Sequence, residues 1–377
     1  MSIFQQLEHK LEAGGISAAL QEAAEHLRRE NRYHELFEVL KMESRNKLGL
    51  PLLHDANKQL TEQQQRQLED DLLESCRTIG FALLEDGQIQ DSWVYLRHLQ
   101  ENNVVLQKLK QVEPTDENLD QLIGLMLYEG LDCEAGYQLV LQHYGTCNAI
   151  TTMQQALYNR DKSDRQAAGR LLVRHVHDEL LDNVKGHIER EESQQPSATR
   201  LTQLMENRDF LFAEGAYHID TSHLSSTVQV AGELTDKDSI ELALDMARYG
   251  EKLDPSLQYS GDPPFEEVYS TYIKFFEAQL GQNVEAATAY FQQRAESTDA
   301  HQEGTFAIET YVDLLSRLGQ HEAAIETTIK LIPAGIQTTG RGPTLYDLSE
   351  QLGDFQQYRQ WCTQQNDVLG FVISLAK

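Results

Sequence analysis

What the chain lacks narrows its class first. Its apolar runs, such as residues 371–375, extend over only a few positions, far short of the roughly 20 that a membrane-spanning helix requires. No transmembrane helix is expected. Residues 1–10 carry Gln5, Gln6, Glu8 and His9 where a secretory leader needs an unbroken apolar stretch, so the chain reads as cytoplasmic. Basic side chains are scarce: 32 Lys and Arg stand against 60 Asp and Glu, a net charge of −28. A surface this acidic repels phosphate backbones and anionic lipid at long range, which argues against nucleic acid and membrane as partners. Cysteine is rare as well. Cys76, Cys133, Cys147 and Cys362 are far apart and form no CxxC pair, so neither a zinc ribbon nor a redox dithiol is indicated. The glycine-rich nucleotide fingerprints, the GxSxG elbow and the HExxH motif are all missing. The loop 335–342, with Thr338, Thr339 and Arg341, fits no phosphate-binding pattern.

Proline is the last shortage, and it points to what is present. Only Pro51, Pro114 and Pro196 fall in the first 250 residues. Long uninterrupted stretches rich in Leu, Ala, Gln and Glu remain, and their summed propensity favours helix almost everywhere. Segments 72–84, 119–128, 240–247 and 308–318 place apolar residues three and four apart, the spacing of an amphipathic helix. Period-2 alternation is nearly absent, so strands are not expected.

The helices come in pairs with a recurring turn. Leu280-Gly281 is followed by Ala286-Ala287, Leu318-Gly319 by Ala323-Ala324, and Leu352-Gly353 by Phe355 and Tyr358. A glycine there ends the first helix by taking a left-handed conformation, and the residues after it pack the second helix on the first. Residues 316–330 resemble the turn and second helix of a tetratricopeptide unit: Gly319, Glu322, Ala324 and Ile325 stand where the family has its Gly, acidic residue and Ala-Ile pair. Residues 85–93 resemble the same turn, and 243–255 resemble the close of a repeat. The Trp, Tyr and second Gly of the family's first helix are mostly missing. The resemblance implies an all-α, right-handed superhelix of stacked antiparallel helix pairs, a tetratricopeptide-like α-solenoid with a concave face that binds a peptide or protein partner.

Three regions are expected: N-terminal helical hairpins over 1–160, central helices with a His-rich loop over 161–265, and tetratricopeptide-like repeats over 266–377. The central region breaks the pattern. A helix from 164 to about 192 ends in the acidic run 189–196, which reads as an exposed linker, and 255–264 is a second irregular stretch with Tyr259, Gly261, Asp262 and a Pro-Pro pair. Loops of that length inside a tight stack tend to carry function. The aromatics Tyr269, Tyr272, Phe275 and Phe276 sit at helical spacing and read as core.

Five of the 13 histidines lie between His175 and His223. His175 and Glu179 are four apart on the long helix and share a face with Ala168, Leu171 and Leu172, so the pair is expected to point inward. His177 and His187 project elsewhere, as surface or packing residues. Asp220, Thr221 and Ser222 precede an apolar-periodic run, so one of them caps that helix. Capping leaves His218 and His223, on either side, unexplained. Imidazoles with carboxylates suit zinc, manganese, iron or nickel.

Two functional readings follow. In one, the chain is an interaction scaffold whose concave groove takes a peptide or partner, and the histidines serve structure. In the other, it is a divalent-metal-dependent enzyme that hydrolyses, or abstracts a proton from, a small polar ligand. There His175, Glu179, His218 and His223 hold the metal, while Asp220 is a further ligand or the general base for a bound water and Glu214 a spare carboxylate.

Overall fold

The computed structural model describes residues 1–53 and 60–377. Among them there is no strand; an isolated antiparallel bridge joins Ser260 and Glu267. Close contacts divide the chain into two units, Met1–Val140 and Leu141–Lys377. The expected boundary at 265 falls inside the second.

The first unit holds α1 (Ile3–Arg29), α2 (Tyr33–Lys47), α3 (Glu62–Glu85), α4 (Ile89–Leu96), α5 (Asn102–Leu109) and α6 (Leu119–Ile123), the last continued by a π-helical turn, Gly124–Tyr128. Capping boxes start two of them, Ser2 with Gln5 at α1 and Thr61 with Gln64 at α3, each satisfying backbone donors that a helix start leaves open. Neighbours then pack in sequence, α1 on α2, α2 on α3 and α3 on α4. Leu36, Ile79 and Leu83 fill one core cluster, and Ile89, Leu96 and Leu109 another.

Helix α7 (Cys133–Gln155) begins in the first unit and ends in the second. The second unit continues with α8 (Lys162–Glu192), α9 (Leu201–Leu204), α10 (Thr221–Ala231), α11 (Lys237–Glu251), α12 (Val268–Gln279) and α13 (Val284–Ser297). It closes with α14 (Phe306–Arg317), α15 (His321–Leu331), α16 (Leu345–Leu352), α17 (Gln356–Gln365) and α18 (Val368–Leu375). The run 189–196 is divided: its first residues finish α8, and the rest is the exposed connection.

The Leu-Gly turns join α12 to α13, α14 to α15 and α16 to α17, and Gly281, Gly319 and Gly353 take φ of 75, 73 and 74°. A side chain at those positions meets its own backbone, so glycine is the residue that allows so short a turn. Each of these pairs packs together, and in addition α10 packs on α12 and α12 on α14, so the first helices of successive pairs are neighbours. Tyr269, Phe275 and Phe276 lie in the core as expected, with Phe265 and Phe291 beside them. Tyr272 is only partly buried and faces a cavity.

Candidate functional site

The histidine region is built for packing. Helix α8 buries Leu172, Val173, Val176, His177, Leu180 and Val184. The buried histidine is thus His177, at 2% exposure, and the inward orientation expected of the His175 and Glu179 pair is corrected: His175 is half-buried and Glu179 exposed. His175 Nε2 lies 3.2 Å from the Thr146 hydroxyl. His177 Nε2 lies 3.3 Å from Asp245 Oδ2.

His218 belongs to a separate chain of contacts. The Tyr249 hydroxyl accepts its backbone N–H at 3.0 Å and sits 2.8 Å from its Nδ1, while its Nε2 is 2.8 Å from His187 Nδ1. Only one proton fits between the two imidazole nitrogens. Burial first, then the neighbouring His187 and Arg190, bring the His218 pKa down from 6.5 to about 4. An unfolded chain therefore takes up this proton at a higher pH than the folded one. Stability is expected to be full above pH 6.5 and to fall toward pH 4 on this account. Melting temperatures across that window check it, since His218→Phe should show a flatter profile than the parent chain.

Asp220 is the N-cap of α10, accepting from Ser222 N at 2.9 Å, His223 N at 3.2 Å and Ser222 Oγ at 2.5 Å. These bonds, the Ser222 hydroxyl foremost, hold its carboxyl below the usual range. Glu214 is exposed in a left-handed turn (φ 56°), and His223 lies in the first turn of α10. Among the described residues no three His, Cys, Asp or Glu side chains gather as a set that could hold a metal. His175, Glu179, His218 and His223 are therefore not brought together.

The structure does gather residues elsewhere in the second unit. Three cavities, of about 40, 240 and 630 Å3, share the side chain of Arg341. The smallest is walled by Gln229 of α10, Tyr272 and Phe275 of α12, and Phe306 and Thr310 of α14. The middle one adds Tyr158 and Arg165, whose Nε lies 2.9 Å from Glu233 on the wall the two cavities share. The largest opens past Tyr158 and Phe306 to Asp262, Pro263, Pro264 and Glu303. The irregular stretch 255–264 thus reaches this cleft.

Arg341 is placed there by a buried carboxylate. Glu309 of α14, 4% exposed, accepts from Thr339 N at 2.7 Å, Thr339 Oγ1 at 3.0 Å and Thr305 Oγ1 at 2.5 Å. These bonds hold the loop against α14. Gly342 makes the approach possible, since a Cβ there would stand 3.0 Å from the Glu309 carbonyl oxygen. Between the two contacts Arg341 extends over the Phe306 ring, 4.8 Å from its centroid. Burial pushes the pKa of the Tyr272 hydroxyl up; the Arg341 guanidinium pulls against that, and Glu233 and Asp262 push further upward. All three charges are therefore near enough to act on the same hydroxyl.

Arg341, Thr339, Gln229, Tyr158 and Phe306 carry no motif that marks them in sequence. The one signal available was Gly340-Arg341-Gly342 between prolines, an arginine freed from helix in a stack otherwise full of it.

No family model matches the chain, and no curated protein or solved structure does either. Over its described residues the chain is an all-helical protein of packed neighbouring helix pairs. Among the described residues no helix is long and apolar enough to cross a membrane.

Proposed function

We propose that the second unit is a tetratricopeptide-like interaction scaffold that binds an extended segment of a partner protein in the cleft around Arg341. The observation that carries this is the meeting of three cavities at Arg341: the smallest is walled by the first helices of successive pairs, α10, α12 and α14, the middle one by α10 with α7 and α8, and the largest by the start of α14 and the 262–264 loop. A right-handed superhelix of such pairs turns its first helices toward the concave side, which is where a cleft lined by them belongs. The lining supports a peptide more than a compact metabolite. Aromatic rings, Tyr158, Tyr272, Phe275 and Phe306, stand among hydrogen-bonding side chains, Gln229, Thr310 and Thr339, spread over three adjoining cavities, as an extended segment with successive side chains would use them.

The test is selection of binders from a random twelve-residue peptide library displayed against the full chain. Selected peptides are expected to lose at least about tenfold in affinity on Gln229→Trp, which fills the junction of two cavities, and on Tyr158→Ala, which removes an exposed ring from the others. Melting temperatures identify any variant that fails to fold. Peptides that bind both variants as well as the parent, or a library that yields no binder, sink the reading.

A further inference from the structure

We infer that Arg341 is a built-in occupant of the cleft, and that the partner segment carries an arginine or lysine that takes its place over Phe306. This rests on the cleft being the binding site, and it names the chemistry of what binds there.

The surroundings of Arg341 are those of a cation slot. Its guanidinium lies over the Phe306 ring at 4.8 Å and beside the Tyr272 hydroxyl, with Glu233 and Asp262 close enough to act on that same hydroxyl. Arg341 is exposed, and a cation over an aromatic face and near carboxylates is held by attraction to the ring quadrupole and by charge together. Arg341 forms no ion pair of its own among the described residues. It is held by the slot as a class of side chain, and an equivalent cation on another chain meets the same attractions.

Charge around the slot favours a basic newcomer. Glu233 is neutralised by Arg165, and Asp313 by Arg317. Asp262 and Glu303, which line the largest cavity, have no ion-pair partner among the described residues. Once Arg341 leaves, the described residues lining the three cavities keep two uncompensated carboxylates, and Arg165, the other cation among them, is already paired with Glu233. The net charge of −28 adds long-range attraction of the same sign.

The loop is also built to let Arg341 leave. Its anchors are the bonds of Thr339 to Glu309 and the close approach of Gly342 to the same residue, neither made by the Arg341 side chain, so the guanidinium can swing out by side-chain rotation while both stay intact. Gly340, with φ 75°, lies between anchor and arginine and permits backbone conformations closed to other residues. A partner must displace a tethered competitor, so its apparent affinity falls by the fraction of time the slot stands open.

The experiment measures fluorescence anisotropy of a labelled, end-blocked peptide Gly-Arg-Gly-Arg-Gly-Arg-Gly with the full chain at low salt. Citrulline and glutamate versions of the peptide serve as probes of charge. Arg341→Ala is expected to bind the arginine peptide at least about tenfold more tightly than the parent, and Arg341→Lys is expected to bind it as the parent does. The gain should vanish with citrulline and shrink when Asp262→Asn is added. Equal affinity of parent and Arg341→Ala, a gain shared by the citrulline peptide, or no binding of the arginine peptide to either protein overturns the inference. So does glutamate peptide bound by the parent and lost on Arg341→Ala, which makes Arg341 a contact for an acidic partner. Library peptides lost on Gln229→Trp but indifferent to Arg341→Ala overturn this inference alone. Library peptides indifferent to Gln229→Trp overturn the cleft reading beneath it.

Discussion

Asp245→Ala is expected to destabilise the second unit by about 3–5 kcal/mol, the range for removing one partner from a buried charged network. Asp245 lies on α11 at 3% exposure, and both its oxygens are engaged. Oδ2 accepts from Leu201 N at 2.7 Å and faces His177 Nε2 at 3.3 Å; Oδ1 accepts from Thr202 N at 3.1 Å and from Thr202 Oγ1 at 2.9 Å. The one carboxylate thus starts α9 and ties α8 to α11. Alanine strands the buried Leu201 N–H and His177 imidazole nitrogen, together with the partly buried Thr202 N–H and hydroxyl. Asparagine keeps the shape and half the acceptors, so it should cost less, about 1–3 kcal/mol. Urea unfolding followed by helix signal, with hydrogen exchange of the α9 and α11 amides, reads both. A loss below about 1 kcal/mol for alanine would show that the network is incidental.

The same carboxylate sets a pH limit. Burial alone pushes its pKa up, but the bonds from His177, Thr202 and Leu201 outweigh burial and leave it below the usual carboxylate range. The group therefore contributes fully above the unfolded carboxylate value, about 3.9, and its contribution is lost as pH falls through the lower folded value. Asp245→Ala should lack that acid limb, whereas His218→Phe alters the window above it.

The helices were legible because their cause is local. Residues 164–192 were expected as one helix and α8 runs Lys162–Glu192; the Leu-Gly turns were expected as left-handed stops and are; Asp220 was among three expected caps and is the one. Side-chain direction on α8 was not legible. Its small and apolar residues, 167–169, 171–173, 176, 180, 184 and 188, wrap more than half its circumference. Which part of that belt turns inward is decided by α10 and α11 packing on it, and their contact buries His177 in place of His175. The cleft was illegible for a related reason. Nothing local says that Glu309 is buried, that Thr339 satisfies it, or that Gly342 lets the loop come close enough to bring Arg341 over Phe306.

Arg317→Ala is the other substitution expected to cost about 3–5 kcal/mol, and its mechanism differs from that of Asp245. The Arg317 side chain, on α14 and 9% exposed, spends its guanidinium on the end of another helix. Nη1 donates to Leu234 O at 2.5 Å and Gln279 Oε1 at 2.7 Å, while Nη2 donates to Gly232 O at 2.9 Å and pairs with Asp313 at 2.6 Å. The plane also lies over Phe275, 5.2 Å from the ring centroid. The carbonyls just past α10 have no further turn to satisfy them, so a planar fork from α14 does what a helical N–H otherwise would. Alanine leaves two such carbonyls and the Asp313 carboxylate without a partner. Lysine restores the charge near Asp313 but reaches one acceptor at a time, so Arg317→Lys should still lose about 1–3 kcal/mol. Adding Asp313→Leu to Arg317→Met should recover part of the loss, because it removes the stranded carboxylate and leaves only the carbonyls unpaired. Urea midpoints for the four proteins separate the two contributions. If lysine proves as stable as the parent, charge against Asp313 alone accounts for Arg317, and the closure of α10 by α14 contributes nothing measurable to holding the walls of the cleft together.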